Sequence, residues 1–164
     1  MIEYKVKMEK ISMVYKYGVE LNDRKHPILV EEEQYEYDVK NIKSPNLIVE
    51  MMNDVFHLSS KAEEYGYMVA FTSAFEVLGV FEISHGSINF SLLSPREIMI
   101  RALLSGANGV VILHNHPSGS LDPSKEDMKT FKQIKEAFNI LNIDFHDFII
   151  VGDGFYSFKK ENVF

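Results

Sequence analysis

The sequence predicts an α/β fold, a sandwich of helices around a mixed sheet. Three observations carry that prediction. Val110-Val111-Ile112-Leu113 is an unbroken apolar run, the pattern of a strand covered on both faces. Shortly downstream, Met128, Phe131, Ile134, Phe138 and Leu141 recur at helical spacing. Along the chain the patterns run helix, strand pair, helix, strand, helix, strand pair, an order that builds layers of helix on sheet.

The first 43 residues are polar and irregular. Tyr15 to Leu21 reads as a strand and Asp23-Arg24-Lys25-His26-Pro27 as a turn. Residues 1–43 are thus expected to be a strand-rich extension packed on a main domain of residues 44–164. Ser44-Pro45 has the form of an N-cap with proline at the first helical position. Leu47, Met51, Val55 and Phe56 follow near helical spacing, predicting a helix from Pro45 to about Ser59. Tyr65 to Phe71 and Val77 to Ile83 are extended runs whose short link, Thr72 to Glu76, predicts an antiparallel hairpin. Ser94-Pro95-Arg96-Glu97 reads as a capping box, with Ile98, Ala102 and Leu103 as the buried stripe and Gly106 or Gly109 as the end. A polar loop, His114 to Pro123, separates the apolar strand from the helix that follows. Phe148 to Val151 is a further strand, which Gly152-Asp153-Gly154 turns into Phe155 to Phe158.

Composition narrows the function. The 164 residues are 46% hydrophobic, enough for one continuous core. Net charge is −7 and the 17 basic residues are scattered, so no broad phosphate-binding face is expected and nucleic acid is an unlikely partner. The acidic run Glu31-Glu32-Glu33 reads as a solvated surface. With no cysteine, disulfides, thiolate metal sites and cysteine nucleophiles are excluded, which fits a cytoplasmic protein. Met1 to Lys10 lacks the apolar centre of a signal peptide, and no apolar run approaches the roughly 20 residues of a membrane helix.

The chemistry concentrates in His114-Asn115-His116-Pro117 and Ser124-Lys125-Glu126-Asp127. Side chains two apart in an extended backbone share a face, so His114 and His116 can aim two imidazoles at one point. Pro117-Ser118-Gly119-Ser120 can reverse the chain, and Asp127 then falls in the first turn of the next helix. Two imidazoles and a carboxylate leave a fourth tetrahedral position for water, as in catalytic zinc sites, where the pKa of that water drops to about 7. A carboxylate must still carry its proton. Glu64, at the start of the first hairpin strand, is the candidate, with neighbouring Glu63 the alternative. Ser124 offers a hydroxyl to a substrate carbonyl or its developing oxyanion. Ser124-x-x-Asp127 also has the form of a helix cap. His26, His57, His85 and His146 show no such convergence and read as surface or packing residues.

In these residues the sequence resembles the JAB/MPN (JAMM) metalloprotease superfamily, whose pattern is Glu, then His-x-His, seven residues, Ser, two residues, Asp. Pro117 to Pro123 supply the seven. It is most similar to the RadC-like branch, whose form appears in His-Asn-His-Pro-Ser-Gly, Pro-Ser-Lys-Glu-Asp and Ser-Pro-Arg-Glu-Ile. The resemblance covers about Ser44 to Phe164. It implies zinc on His114, His116 and Asp127, a supporting hydroxyl on Ser124 and, counting back from Ser84-His85-Gly86, the catalytic glutamate at Glu64. It also implies a cytidine-deaminase-like three-layer α/β/α sandwich. Where the branch usually has Asp-His before the late strand, this chain has Asp147-Phe148, with His146 preceding.

The function expected is a zinc-dependent peptidase or isopeptidase acting on a protein or peptide. Alternatives are a non-catalytic binding module on the same fold, and a DNA-repair-associated factor as the branch's historical label suggests. Residues 1–43 hold no Gly-x-Gly hairpin of the kind that grips DNA phosphates, and His114-Asn115-His116 is not the spread-out residue set of an HNH nuclease.

Overall fold

Among the described residues, seven strands and three helices form three layers. The computed structural model describes residues 12–38, 42–86 and 93–164, so the reading of Met1 to Lys10 lies outside the described residues. The strands are β1 (Met13–Leu21), β2 (Pro27–Glu36), β3 (Tyr65–Phe71), β4 (Val77–His85), β5 (Gly109–Asn115), β6 (Asp144–Gly152) and β7 (Gly154–Ser157). The helices are α1 (Pro45–Phe56), α2 (Pro95–Ser105) and α3 (Lys125–Leu141). Sheet order is β2-β1-β4-β3-β5-β6-β7. Pairing is antiparallel except at β1–β4 and β5–β6, so the sheet is mixed.

Strand alternation divides the core in two. Val111 and Leu113 of β5 face the layer of α1, where Ile48, Met51, Met52 and Phe56 pack with Tyr67, Val69 and Val80. Val110 and Ile112 face the other way, against Ile98 and Ala102 of α2 and Phe131, Ile134 and Phe138 of α3. Both faces of β5 are therefore covered, which is why its sequence is apolar without alternation. Met51 and Met52 are fully buried, and each such side chain contributes about 1.5–3 kcal/mol of burial. Among the described residues, no helix is long and apolar enough to cross a membrane.

The extension joins the same sheet. Asn22 holds the turn before β2 by accepting the backbone N–H groups of Arg24 and His26. Lys16 on β1 lies between Glu32 and Glu33 of β2, at 3.3 Å each, and Glu82 of β4 at 3.7 Å. Part of the acidic run thus faces a lysine that is itself only 16% exposed, while the run remains open to solvent.

Several expectations need correction. Leu103 is 56% exposed rather than buried; α2 meets the core through Ile98 and Ala102. The Ser94 capping box does not form, because Glu97 turns instead to Arg96 and to Arg101 one turn on. Gly106 ends α2 with a left-handed backbone, φ 65°. The first helix stops at Phe56, where His57 takes up a left-handed conformation and a short 3₁₀ turn, Leu58–Ser60, follows. The strand expected to stop at Leu113 continues through His114 and Asn115, because β3 still pairs at His114 and β6 through Asn115.

Candidate metal centre

Three segments converge at the end of β5. His114 is the sixth residue of that strand and 2% exposed. Strand parity puts it on the face of Val110 and Ile112, toward α3, with its ring 5.4 Å from that of Phe148. His116 lies just past the strand but stays in line with it, since its N–H bonds the Val151 carbonyl at 2.8 Å. The turn that follows is closed by Gly119 N–H on the His116 carbonyl, 2.9 Å, and leads to α3.

Asp127 is the third residue of α3. The Ser124 hydroxyl accepts the Asp127 N–H at 3.0 Å, and an Asp127 carboxylate oxygen accepts the Ser124 N–H at 2.8 Å. Ser124-x-x-Asp127 is therefore a capping box as well as part of the cluster. The cap fixes the Asp127 side chain and leaves its oxygens within reach of both rings.

The geometry suits a cation. His114 Nε2 lies 3.1 Å from His116 Nε2 and 3.0 Å from Asp127 Oδ1, and His116 Nε2 lies 3.5 Å from Asp127 Oδ2. A tetrahedral zinc with bonds of 2.0–2.1 Å has edges between ligand atoms of about 3.3–3.4 Å. The contact between the two rings lies close to that value, and the two ring–carboxylate contacts, made to different oxygens of Asp127, fall in the same range. His116 Nδ1 lies 3.0 Å from the Ser120 carbonyl. A carbonyl only accepts, so Nδ1 keeps a proton, and once the ring is neutral it is Nε2 that presents a lone pair to the cluster. His114 Nδ1 is buried with no hydrogen-bond partner among the described residues.

The electrostatics agree. Burial alone would push the Asp127 carboxyl up, but hydrogen bonds from His114 and His116 outweigh it and hold the group far below the usual carboxylate range. The Asp127 hydrogen bond raises the pKa of His116 above its ordinary value against the effect of burial, and the Glu64 charge adds in the same direction. The cluster thus favours a positive charge at its centre. His114, His116 and Asp127 form the group of potential metal ligands found among the described residues.

Glu63 and Glu64 are both exposed, yet they differ in setting. Gly66 pairs with His114, and continuing that antiparallel register sets Glu64 opposite His116. Glu63 lies instead against Gly86, where a Cβ would stand 2.8 Å from its carboxylate. Asp147 and His146 lie apart from the cluster. Asp147 pairs in register with Val111, near the other end of β5. Its carboxylate accepts hydrogen bonds from the N–H groups of Phe148 and Lys159 and from the Ser157 hydroxyl, and burial raises its pKa. His146 stacks on Phe75 with centroids 4.7 Å apart, and burial lowers its pKa.

The supports of the histidines were not anticipated. Ser120 acts through its backbone carbonyl, which carries no sequence signal. Its loop packs tightly on the β6–β7 turn: the Asp153 N–H bonds the Gly119 carbonyl at 2.9 Å, and Gly119 has φ 82°. Asn115 did carry a signal, as a polar residue buried between the two histidines.

Comparison with known proteins agrees with this architecture. The model of the RadC-like JAB domain matches residues 42–163. A UPF0758 protein of Alkaliphilus metalliredigens is 34% identical over 123 residues, 74% of this chain and 52% of the relative. A UPF0758 protein of Alkaliphilus oremlandii is 35% identical over 121 residues, 74% and 51% of the two chains. One from Desulfitobacterium hafniense is 34% identical over 130 residues, 74% and 57%. The chain spans about half the length of the curated relatives it matches. With the fold, the converging side chains and the match over residues 42–163 in agreement, the chain belongs to the RadC-like JAB domain family.

Proposed function

We propose that His114, His116 and Asp127 hold a zinc ion and that the chain is a metallohydrolase of the JAMM type, cleaving an amide bond in a protein or peptide. The observation that carries this reading is the convergence of His114 Nε2, His116 Nε2 and the Asp127 carboxylate, with contacts of 3.0, 3.1 and 3.5 Å. It is supported by the Ser120 carbonyl, which frees His116 Nε2 for a metal.

A zinc ion bound there supplies a Lewis acid able to bring the pKa of water to about 7. The residues around it supply the rest. Glu64 accepts the proton of the attacking water on its carboxylate and delivers it to the leaving amine. Its register opposite His116 and its electrostatic effect on that ring support this choice over Glu63. The Ser124 hydroxyl accepts the Asp127 N–H through a lone pair, so its own proton is available for the substrate carbonyl as negative charge develops there. Asp127, held by the cap, keeps the two imidazoles oriented.

Elemental mass spectrometry on protein purified without chelators tests the first step. About one zinc per chain is expected, lost in His116→Ala. No metal, even after zinc is added back, would overturn the reading and favour a non-catalytic binding module. Cleavage of a peptide library, abolished by chelator and by Glu64→Gln, tests the second step. Cleavage indifferent to both would exclude this chemistry.

A further inference from the structure

Between the two histidines stands Asn115, for which the proposed chemistry has no use. It is 1% exposed, the last residue of β5. Strand parity turns it away from the metal cluster, to the face of Val111 and Leu113. Burying a carboxamide there is costly unless its polar atoms find partners.

It finds all of them in one short stretch, fifty residues earlier in the chain. Asn115 Oδ1 accepts the Tyr65 N–H at 2.7 Å. Asn115 Nδ2 donates to the Glu63 carbonyl at 3.0 Å and to the Lys61 carbonyl at 3.4 Å. The backbone groups fix which end of the amide is which, since an N–H can only donate and a carbonyl only accept. An aspartate would lack the donors and an aliphatic residue would lack both functions.

Two of these bonds bracket Glu64, one on the carbonyl before it and one on the N–H after it. A third contact holds Glu64 itself, whose carbonyl accepts the Gly86 N–H at 2.9 Å. Residues 61–64 belong to no helix or strand. The last rung between β3 and β5 is Gly66 with His114, and the Asn115 side chain reaches the backbone one residue beyond it. Asn115 therefore extends the order of the sheet to the residue preceding β3 on the β5 side, as Gly86 does on the β4 side. It also couples that residue to the strand carrying His114, so the carboxylate and the metal ligands share one rigid frame.

We propose that Asn115 is a positioning residue for Glu64, setting its carboxylate over the His114–His116–Asp127 group; this rests on the metal-centre reading given above. Catalytic groups lose much of their effect when displaced by about 1 Å, and among the described residues Asn115 is the side chain that tethers the backbone on both sides of Glu64. The middle residue of the His-Asn-His triplet then has a reason to be a carboxamide.

The test uses the whole chain, loaded with cobalt(II) in place of zinc, and compares wild type, Glu64→Gln and Asn115→Ala. Amide hydrogen exchange followed by NMR should show the Tyr65 N–H exchanging at least about tenfold faster in Asn115→Ala, while Val111 and Ile112 keep their protection. Visible spectra across pH supply the readout that a merely structural role would not move. The spectral midpoint should shift in Glu64→Gln, and in Asn115→Ala in the same direction and by most of the same amount, with one cobalt per chain in all three. Should Asn115→Ala fail to fold, Asn115→Ser takes its place. Faster exchange with a wild-type midpoint would make Asn115 a structural residue only and overturn the proposal alone. An unmoved midpoint in Glu64→Gln would overturn the role of Glu64 and this proposal together. Wild-type protein that takes up no cobalt would overturn the metal reading itself.

Discussion

Gly152→Ala tests how His116 is held without touching any proposed ligand. Gly152 closes β6, and a Cβ there would stand 2.5 Å from the Gly119 carbonyl oxygen, 2.8 Å from its carbon and 2.9 Å from the Ser120 carbonyl oxygen. All three are backbone atoms, so no flexible side chain can swing aside. Ordinary contact begins at 3.4 Å, so the loop must retreat by about 0.9 Å at its tightest point. The Ser120 carbonyl oxygen itself must retreat by about 0.5 Å, which stretches its 3.0 Å bond from His116 Nδ1 to about 3.5 Å. That leaves at most a marginal hydrogen bond. Loss of the partner that orients a metal-ligating histidine costs about 10- to 100-fold in metal affinity, or about 1.4–2.7 kcal/mol. Overpacking should separately lower the stability of the metal-free protein by about 1–3 kcal/mol. The assay is zinc competition against a chromogenic chelator at pH 7.5, paired with thermal melts of the metal-free proteins. Ser120→Ala is the control, because it keeps the carbonyl and removes only the hydroxyl that accepts the Asp122 N–H. Its zinc affinity should match wild type. A Gly152→Ala protein that melts earlier yet binds zinc within about twofold of wild type would refute the argument, since losing the partner that orients a histidine ligand costs more than that.

Further outcomes follow from the cluster and from the charged groups elsewhere in the sheet. Protons compete with metal for His116, whose pKa is raised, so zinc affinity should fall as pH drops through that raised value, by up to about tenfold per pH unit. Asp127→Asn removes the main cause of the rise and should move the onset to lower pH, as titration calorimetry from pH 8 to pH 5 would reveal, besides weakening binding throughout. Asp147→Ala leaves the Ser157 hydroxyl and the Lys159 N–H without their acceptor and should cost about 2–4 kcal/mol in urea unfolding, with zinc uptake unchanged. Because burial raises the Asp147 pKa above 3.8, the folded state holds its proton more tightly than the unfolded one. Wild type should therefore lose stability as pH climbs from 3.8 through the raised value, a slope that Asp147→Asn should lack. Lys16→Met should cost about 1 kcal/mol in the same urea assay, because its three carboxylate partners are partly exposed, and should speed proteolysis in the Asn22–His26 turn.

The fold was legible wherever periodicity and burial coincide. Strand β5 announced itself because it is covered on both faces, and α3 because Phe131, Ile134 and Phe138 form one buried stripe. The misreadings fall where tertiary contacts compete with local rules. Glu97 has the right spacing for a capping box, but its carboxylate pairs with Arg96 at 2.8 Å and Arg101 at 3.0 Å instead. Leu103 has the right spacing for the α2 stripe, but α2 touches the sheet along a narrow line and leaves that position in solvent. The end of β5 was drawn too early because His114 and Asn115 are polar, whereas what decides a strand is its neighbours. Here β3 and β6 both supply partners.

The candidate site divides in the same way. Side chains that converge through short spacings can be read from letters: two histidines at i and i+2, and an aspartate at the third position of the next helix. Groups that hold them cannot. The Ser120 carbonyl would serve as well from almost any residue, and what brings it to His116 is the absence of a side chain at Gly152. The contact between Asn115 and the Lys61–Tyr65 stretch joins residues fifty or more positions apart, with nothing in either segment to name the other. Glu63 and Glu64 are equivalent as letters and become distinct only through strand register, which sets Glu64 opposite His116 and leaves Glu63 against Gly86. The candidate ligands are thus specified locally and their precision globally. Substitutions at Gly152 and Asn115 should accordingly disturb the site while His114, His116, Ser124 and Asp127 stay in place.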